Sequence, residues 1–205
     1  MPSEIEAKFL VRGFSDLHQK LAYLGGTLKQ SRHLMRRRIF DYPDLRLDAN
    51  AAWVRVRDEG ERVVMSYKQR RSETLGGMVE HETTVGDFDA ACSILEQIGL
   101  TEKAYQENYR ETWDFMGCEI ALDEWPWIPS TVEIESDSEE AVVRASLALG
   151  FDWNEAIFDS TDGVYQRFFD VTRTEASTVR LTFDQKPMLF VERERPNTST
   201  LSYEV

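Results

Sequence analysis

Charged side chains recur at every second position in several short stretches of the 205-residue chain. Glu4, Glu6 and Lys8 alternate with Ile5, Ala7 and Phe9, and Arg55 and Arg57 alternate with Val54 and Val56. Lys68 ends a stretch that begins at Val63; Glu80 and Glu82, Arg110, Asp123, and Glu133 and Glu135 follow in similar stretches. Such spacing puts charge on one face of a β-strand and apolar bulk on the other. If the charged faces point inward together, seven carboxylates and at least five cations share one space. Without a ligand, that much enclosed like charge is costly. A polyanion on the cations and divalent cations on the carboxylates compensate both sets, and phosphoryl transfer uses that combination. Arg and Lys grip phosphate oxygens, while Mg2+ or Mn2+ bridges them and activates the attacking group. The chain has no G-x-x-x-x-G-K-[ST] and no G-x-G-x-x-G loop, so a helix N-terminus cradling phosphates is not the mechanism.

Strands must present these side chains, and the alternation marks where they run. It appears around Ile5, from Trp53 to Arg57, Val63 to Lys68, Met78 to Val85, Tyr105 to Phe115, Glu119 to Asp123 and Thr131 to Glu135. Asp58-Glu59-Gly60 predicts a tight hairpin turn, and Arg71 to Gly77 a longer hairpin loop. Three helices punctuate the strands, with Ser15, Asp87 and Ser138 as expected N-caps and Gly25, Gly99 and Gly150 as stops. Each helix follows a strand bearing Glu-x-Glu, which suggests one supersecondary unit used three times. Beyond Gly150, Asp162 to Val171 predicts a short helix. Val179 to Phe183 and Met188 to Val191 predict a pair of strands, and Pro196 to Val205 a loose tail.

Composition narrows the class of partner. A net charge of -13, from 37 acidic and 24 basic residues, repels duplex nucleic acid and anionic membranes unless the cations are gathered. They are gathered between Arg36 and Arg71, as an anion site requires, although a solvated charged face has the same signature. Arg36 and Arg38 share a face by alternation, and Arg38 is the expected phosphate ligand of the two. No run of 18 apolar residues is present, and the charged first residues do not suit a signal peptide, so a cytoplasmic location is expected. Cys92 and Cys118 make no disulfide framework and read as core thiols; His18, His33 and His81 read as surface residues. Trp113, Trp125, Trp127 and Trp153 are expected to pack walls and loops.

Glu4-Ile5-Glu6-Ala7-Lys8 resembles the E-x-E-x-K signature that opens the CYTH proteins, also called triphosphate tunnel metalloenzymes. Arg55-Val56-Arg57, Tyr67-Lys68, Glu80/Glu82, Tyr109-Arg110-Glu111-Thr112-Trp113, Leu122-Asp123 and Val132-Glu133-Ile134-Glu135 resemble that family's later strands in order, so that the likeness runs from Met1 to Phe169. The resemblance implies an α+β fold: an eight-stranded antiparallel β-barrel, the triphosphate tunnel, with helices packed outside. It implies a domain over residues 1–171, followed by a 172–205 extension with a hairpin and a loose tail.

By the same resemblance Lys8, Arg55, Arg57, Lys68 and Arg110 bind the triphosphate, and Arg38, read from alternation, is expected to join them. Glu4, Glu6, Glu82, Asp123, Glu133 and Glu135 hold or support Mg2+ or Mn2+, and Lys8, Glu6 and Glu135 take part in catalysis. The implied activity is metal-dependent hydrolysis of inorganic or thiamine triphosphate, with class IV adenylyl cyclase chemistry on ATP as the alternative. A binding module without turnover is a third possibility. The expected partner is a small triphosphate, with no nucleic acid and no membrane, and the expected state is monomer or homodimer. Two local departures from the family pattern are the segment Glu124-Trp125-Pro126-Trp127-Ile128-Pro129 and the neutral Asn108, a position often basic in that family.

Overall fold

The computed structural model describes residues 5–71 and 78–196. Eight strands, β1 (Ile5–Val11), β2 (Thr27–Asp41), β3 (Ala52–Asp58), β4 (Val63–Arg70), β5 (Met78–Val85), β6 (Thr101–Phe115), β7 (Cys118–Glu124) and β8 (Ser130–Ser136), form one antiparallel sheet. Its order is β1-β8-β7-β6-β2-β3-β4-β5. Helices α1 (Ser15–Tyr23), α2 (Phe88–Gln97) and α3 (Glu139–Ala148) follow β1, β5 and β8; β5 and β8 carry the alternate glutamates Glu80/Glu82 and Glu133/Glu135, and β1 carries Glu6.

The helices cover the apolar face of the sheet. Leu17 and Leu21 of α1 and Val142 and Ala145 of α3 pack on Ala7, Phe9, Ile120, Leu122, Val132 and Ile134. Ala91, Cys92 and Leu95 of α2 pack on Phe40 and Val56. Cys92 and Cys118 are both buried free thiols. Asp87 and Ser138 cap α2 and α3 through backbone N–H groups of Ala90 and Ala141. Ser15 is instead the first residue of α1, whose N-cap, Phe14, has no side-chain acceptor to offer. Gly150, with φ 87°, ends α3 against the Lys20 ammonium, which donates to the Leu149 carbonyl at 2.8 Å.

The expected closed barrel is corrected to a curled open sheet. Closure needs ladder hydrogen bonds between the first and last strands of the order, and β1 and β5 stand at its two edges unpaired with each other. The outer edge of β1 is otherwise engaged. Lys8 N–H donates to the Ile157 carbonyl and Ile157 N–H to the Lys8 carbonyl, both at 2.9 Å.

The chain after Gly150 also differs from expectation. The helix foreseen from Asp162 is α4 (Thr161–Phe168), and a further helix, α5 (Arg173–Thr178), precedes the expected strand pair; of that pair, Val179 to Phe183 forms no strand and Met188 to Val191 lies in helix α6 (Met188–Glu192). Only Leu181 keeps strand character, in a single parallel bridge to Gln106. The reason is aromatic packing: Phe190 stacks on Phe169 and Tyr165, with centroids at 4.2 and 5.2 Å, in a cluster with Ile157, Val164, Phe168, Val171, Ala176 and Leu181. Residues 172–195 therefore share one core with α4 and reach Leu10 of β1. The predicted loop tip at residues 72–77 and the tail from residue 197 lie outside the described residues. Among the described residues no helix is long and apolar enough to cross a membrane.

Candidate active site

Residues opposite each other in a ladder share a face, so the register traces the charged face across all eight strands. Glu6 and Lys8 of β1 face Glu135 and Glu133 of β8; these face Glu119 and Ala121 of β7. Asp123 of β7 faces Arg110 of β6, which faces His33 of β2. Arg37 of β2 faces Arg57 of β3, Arg55 faces Ser66 of β4, and Lys68 faces Glu80 of β5. Acids dominate the β1-β8-β7 side and cations the β6-β2-β3 middle. The curl brings the sides together: Arg62 lies within electrostatic reach of Glu82 on β5 and Glu119 on β7.

Ion pairs stitch the two sets across the strands. Arg110 Nε donates to Asp123 Oδ1 at 2.8 Å and Nη2 to Glu133 Oε2 at 2.6 Å. Lys8 pairs with Glu6 and lies 3.4 Å from Glu133. Burial pushes the Glu133 carboxyl up, yet Arg110 and Lys8 overcome this and hold it down at about 2. Asp123, fully enclosed, is pushed up by burial in spite of Arg110. Burial alone would lower Lys8, but Glu133 and Glu6 raise it, so its amine is held as ammonium.

The cations in the middle of the face are under-compensated. Burial and the neighbouring Arg57, Arg55 and Arg110 push Arg37 well below its ordinary value. Burial and Arg57 bring Arg55 to about 10, and burial and Arg55 lower Lys68. Glu80 is a partial counter-ion, 2.9 Å from Lys68 and 3.6 Å from Arg55. Arg37 Nε and Arg55 Nε are buried without a hydrogen-bond partner. Their unspent donors suit an anion rich in oxygen acceptors. A cavity of about 340 Å³ opens on the same face, lined by their neighbours Arg57 and Arg110 together with Met35, His33, Thr112, Glu119 and the hairpin residues Glu59, Glu61 and Arg62; Arg37 and Arg55 themselves do not line it.

Of the residues expected at the site, Glu6, Lys8, Arg55, Arg57, Lys68, Arg110, Asp123, Glu133 and Glu135 share this face. Arg38 does not. It points to α2, with Nε 3.1 Å from Glu102 and Nη1 3.6 Å from Glu96, and Arg37 stands in its place. Ile39 and Phe40 are both apolar, so the parity of the Arg run was ambiguous; Phe40 packs under α2 and sends Arg38 with it. Glu82, opposite Ser66, is on this face too, exposed and within electrostatic reach of Arg55 and Arg62, while the close ion pairs to the cations come from Glu80. Glu4 lies outside the described residues. His33, expected at the surface, lines the cavity; Glu59, Arg62 and Glu119 also join it. Trp125 stacks on Arg37, 4.6 Å from the guanidinium carbon, consistent with a wall residue.

The acidic side offers carboxylate oxygens, the donor set that a hard divalent cation takes, with the Lys8 ammonium among them. Glu6, Glu135 and Glu119 form a cross-strand row of like charge, which such an ion would offset. Among the described residues no three acidic, His or Cys side chains converge closely enough to hold an ion as they stand.

The chain belongs to the CYTH domain family, whose pattern it matches over residues 2–149. Among solved structures it is similar to a conserved hypothetical protein from Pyrococcus furiosus, at 18% identity and a TM-score of 0.62 over 77% of this chain and 97% of that one. It also resembles a candidate adenylate cyclase from Vibrio parahaemolyticus, at 15% identity and a TM-score of 0.68 over 80% of this chain and 97% of that one. A third likeness is to a candidate adenylyl cyclase from Hippeastrum for which a dominant triphosphatase activity is described, at 19% identity and a TM-score of 0.58 over 80% of this chain and 95% of that one. At these identities the likeness is one of fold. Compared with proteins of curated function, the chain has no significant match.

Proposed function

We propose that the chain is a metal-dependent hydrolase that removes the terminal phosphate from a small triphosphate, inorganic triphosphate or thiamine triphosphate. The observation that carries this reading is the buried Arg37 and Arg55, crowded by Arg57 and Arg110 and short of counter-charge, each with an Nε that has no hydrogen-bond partner. An extended polyanion offsets several neighbouring cations at once, and a triphosphate supplies charge at the spacing of successive residues on adjacent strands. Arg37, Arg55, Arg57, Lys68 and Arg110 grip its non-bridging oxygens. Bidentate guanidinium contacts fix the chain of phosphates so that one end meets the acidic strands.

At that end Lys8 Nζ, kept protonated by Glu133 and Glu6, donates to a terminal phosphate oxygen or orients the attacking water. Glu6 or Glu135 accepts the proton of that water as its oxygen bonds to the terminal phosphorus and the bridging P–O bond breaks, so that orthophosphate and the diphosphate fragment leave. Glu6 and Glu135, with Asp123, Glu133 and Glu4 beside them in the sequence pattern, are the ligands for Mg2+ or Mn2+. When bound, the ion supplies Lewis-acid polarisation of phosphate oxygens and lowers the pKa of a bound water.

The test is a single assay on the purified protein with Mg2+ or Mn2+, offering tripolyphosphate, thiamine triphosphate and ATP and resolving the products by chromatography. Orthophosphate release from a triphosphate is the expected result. Cyclic AMP and pyrophosphate from ATP would replace hydrolysis with cyclase chemistry, and inactivity on all three would overturn the reading.

A further inference from the structure

Arg37 has a carboxylate within electrostatic reach and yet does not pair with it. Its neighbour Asp123 is engaged otherwise: Oδ1 accepts from Arg110 Nε at 2.8 Å and from Asn108 Nδ2 at 2.9 Å, and Oδ2 accepts from Arg110 Nη2. Asn108, with none of its surface exposed, turns its amide oxygen the other way and accepts from Arg37 Nη2. One neutral side chain thus separates a cation from an anion while giving each the hydrogen bond it lacks. The Trp125 ring, 4.6 Å from the guanidinium carbon, holds Arg37 from another side without neutralising it. Arg37 Nε is left buried with no partner.

We propose that Asn108 is a positioning residue that keeps Arg37 out of an ion pair with Asp123, so that the Arg37 guanidinium is presented with its charge uncompensated to a phosphate oxygen. The inference rests on the triphosphate reading of the same site. A carboxylate in place of the amide would capture Arg37 directly, and a guanidinium already paired offers a phosphate less. The strong downward pull on Arg37 from burial and its Arg neighbours agrees with a side chain awaiting an anion.

The test is binding rather than turnover: titration calorimetry of tripolyphosphate in chelator-containing buffer against the unaltered protein, Asn108→Asp, Arg37→Ala and the double variant. Arg37→Ala removes a repelled buried charge and should keep the native circular dichroism; Asn108→Asp is nearly isosteric but sets a carboxylate against Asp123 where the amide donated at 2.9 Å, so Asn108→Leu, which removes the same bridge without adding charge, is measured beside it and replaces it if it fails to fold. Arg37→Met, which preserves bulk against Trp125, replaces Arg37→Ala if the latter fails to fold. The expected result is affinity at least tenfold weaker for Asn108→Asp and for the Arg37 variant, with the double variant within about twofold of the Arg37 variant alone, because Asn108 acts through Arg37. Unchanged affinity in Asn108→Asp, or losses that multiply in the double variant as for an independent structural role, would overturn the proposal. Failure of the unaltered protein to bind would remove the polyanion site itself. Binding without hydrolysis would leave the positioning role standing and end the hydrolase reading alone.

Discussion

Arg37 and Arg57 stand directly opposite each other on β2 and β3, two guanidinium groups at one rung of the sheet. Like charges so placed destabilise a ladder, and here Arg55 and Arg110 add to the repulsion. The protein should therefore be markedly stabilised by polyphosphate. Ligand at about a hundred times its dissociation constant adds about 2.7 kcal/mol, or about 5–10 °C in melting temperature for a chain of this size. Differential scanning fluorimetry with tripolyphosphate, repeated at rising NaCl, should show this shift and its decline with salt. A melting curve that ignores tripolyphosphate would count against the basic row as a binding surface.

Arg57→Ala should weaken tripolyphosphate binding at least tenfold and leave the fold intact. The Arg57 Nε donates to Glu59 Oε1 at 2.7 Å, but Arg62 also pairs with Glu59 at 2.7 Å, so the carboxylate keeps a partner when Arg57 is removed. Circular dichroism and a binding isotherm on the same sample separate the two effects. Collapse of the fold would mean that Arg57 serves the wall and not the ligand.

Glu6→Gln should cut phosphate release by about a hundredfold or more while leaving stabilisation by tripolyphosphate in place, since Glu6 stands on the acidic side of the face. Dialysis against chelator should abolish activity, and Mg2+ or Mn2+ should restore it. Full activity in Glu6→Gln would remove the acidic strands from the chemistry.

Acid should loosen the β1-β8 side before the rest. Glu133 is held at about 2 in the folded protein, below its ordinary unfolded value. The stability it contributes is therefore whole above about pH 4.5 and is lost as pH falls from there towards 2. Glu133→Gln should flatten this acid limb, and at pH 7 it should cost about 3 kcal/mol by leaving Arg110 and Lys8 under-compensated. Urea melts between pH 3 and 7 on both proteins measure the difference; identical limbs would show that Glu133 is not the group concerned.

The carboxyl-terminal segment should behave as part of the same folding unit. Phe190, fully buried against Phe169 and Tyr165, should cost about 3–5 kcal/mol when replaced by Ala. Tyr165→Phe should cost about 1–2 kcal/mol, because the Pro126 carbonyl then loses its 2.7 Å hydrogen bond. Denaturant melts that split into two transitions in Phe190→Ala would show a separable appendage.

Alternation made seven of the strands legible, because one face of each meets a helix-covered core and the other does not. β2 was hidden by its own chemistry. Fifteen residues long, it carries polar and charged side chains on both faces over most of its length, and it is recognisable as a strand only through its pairing with β6. The same feature concealed which arginine of the run Arg36-Arg37-Arg38 faces inward. His33 and Glu119 escaped notice because only the curl brings β2, β7 and the β3-β4 hairpin around one cavity. Helix α6 was misread as a strand since Met188 to Val191 is a short apolar run, which periodicity cannot assign; Val179 to Phe183, a similar run, makes only the single bridge at Leu181.

Among the described residues the ring of strands is split between β1 and β5, and Ile157 is bridged to the β1 lip. A split ring can alter its bore by flexing, whereas a sealed one must break ladder hydrogen bonds to do so. The long β2-β6 pair lies opposite the slit and forms the spine about which the acidic and basic flanks draw together or part. The gauge of the chamber is thus set by a few fastenings at one lip, and the bulk of the sheet can remain rigid while guests of different girth are accommodated.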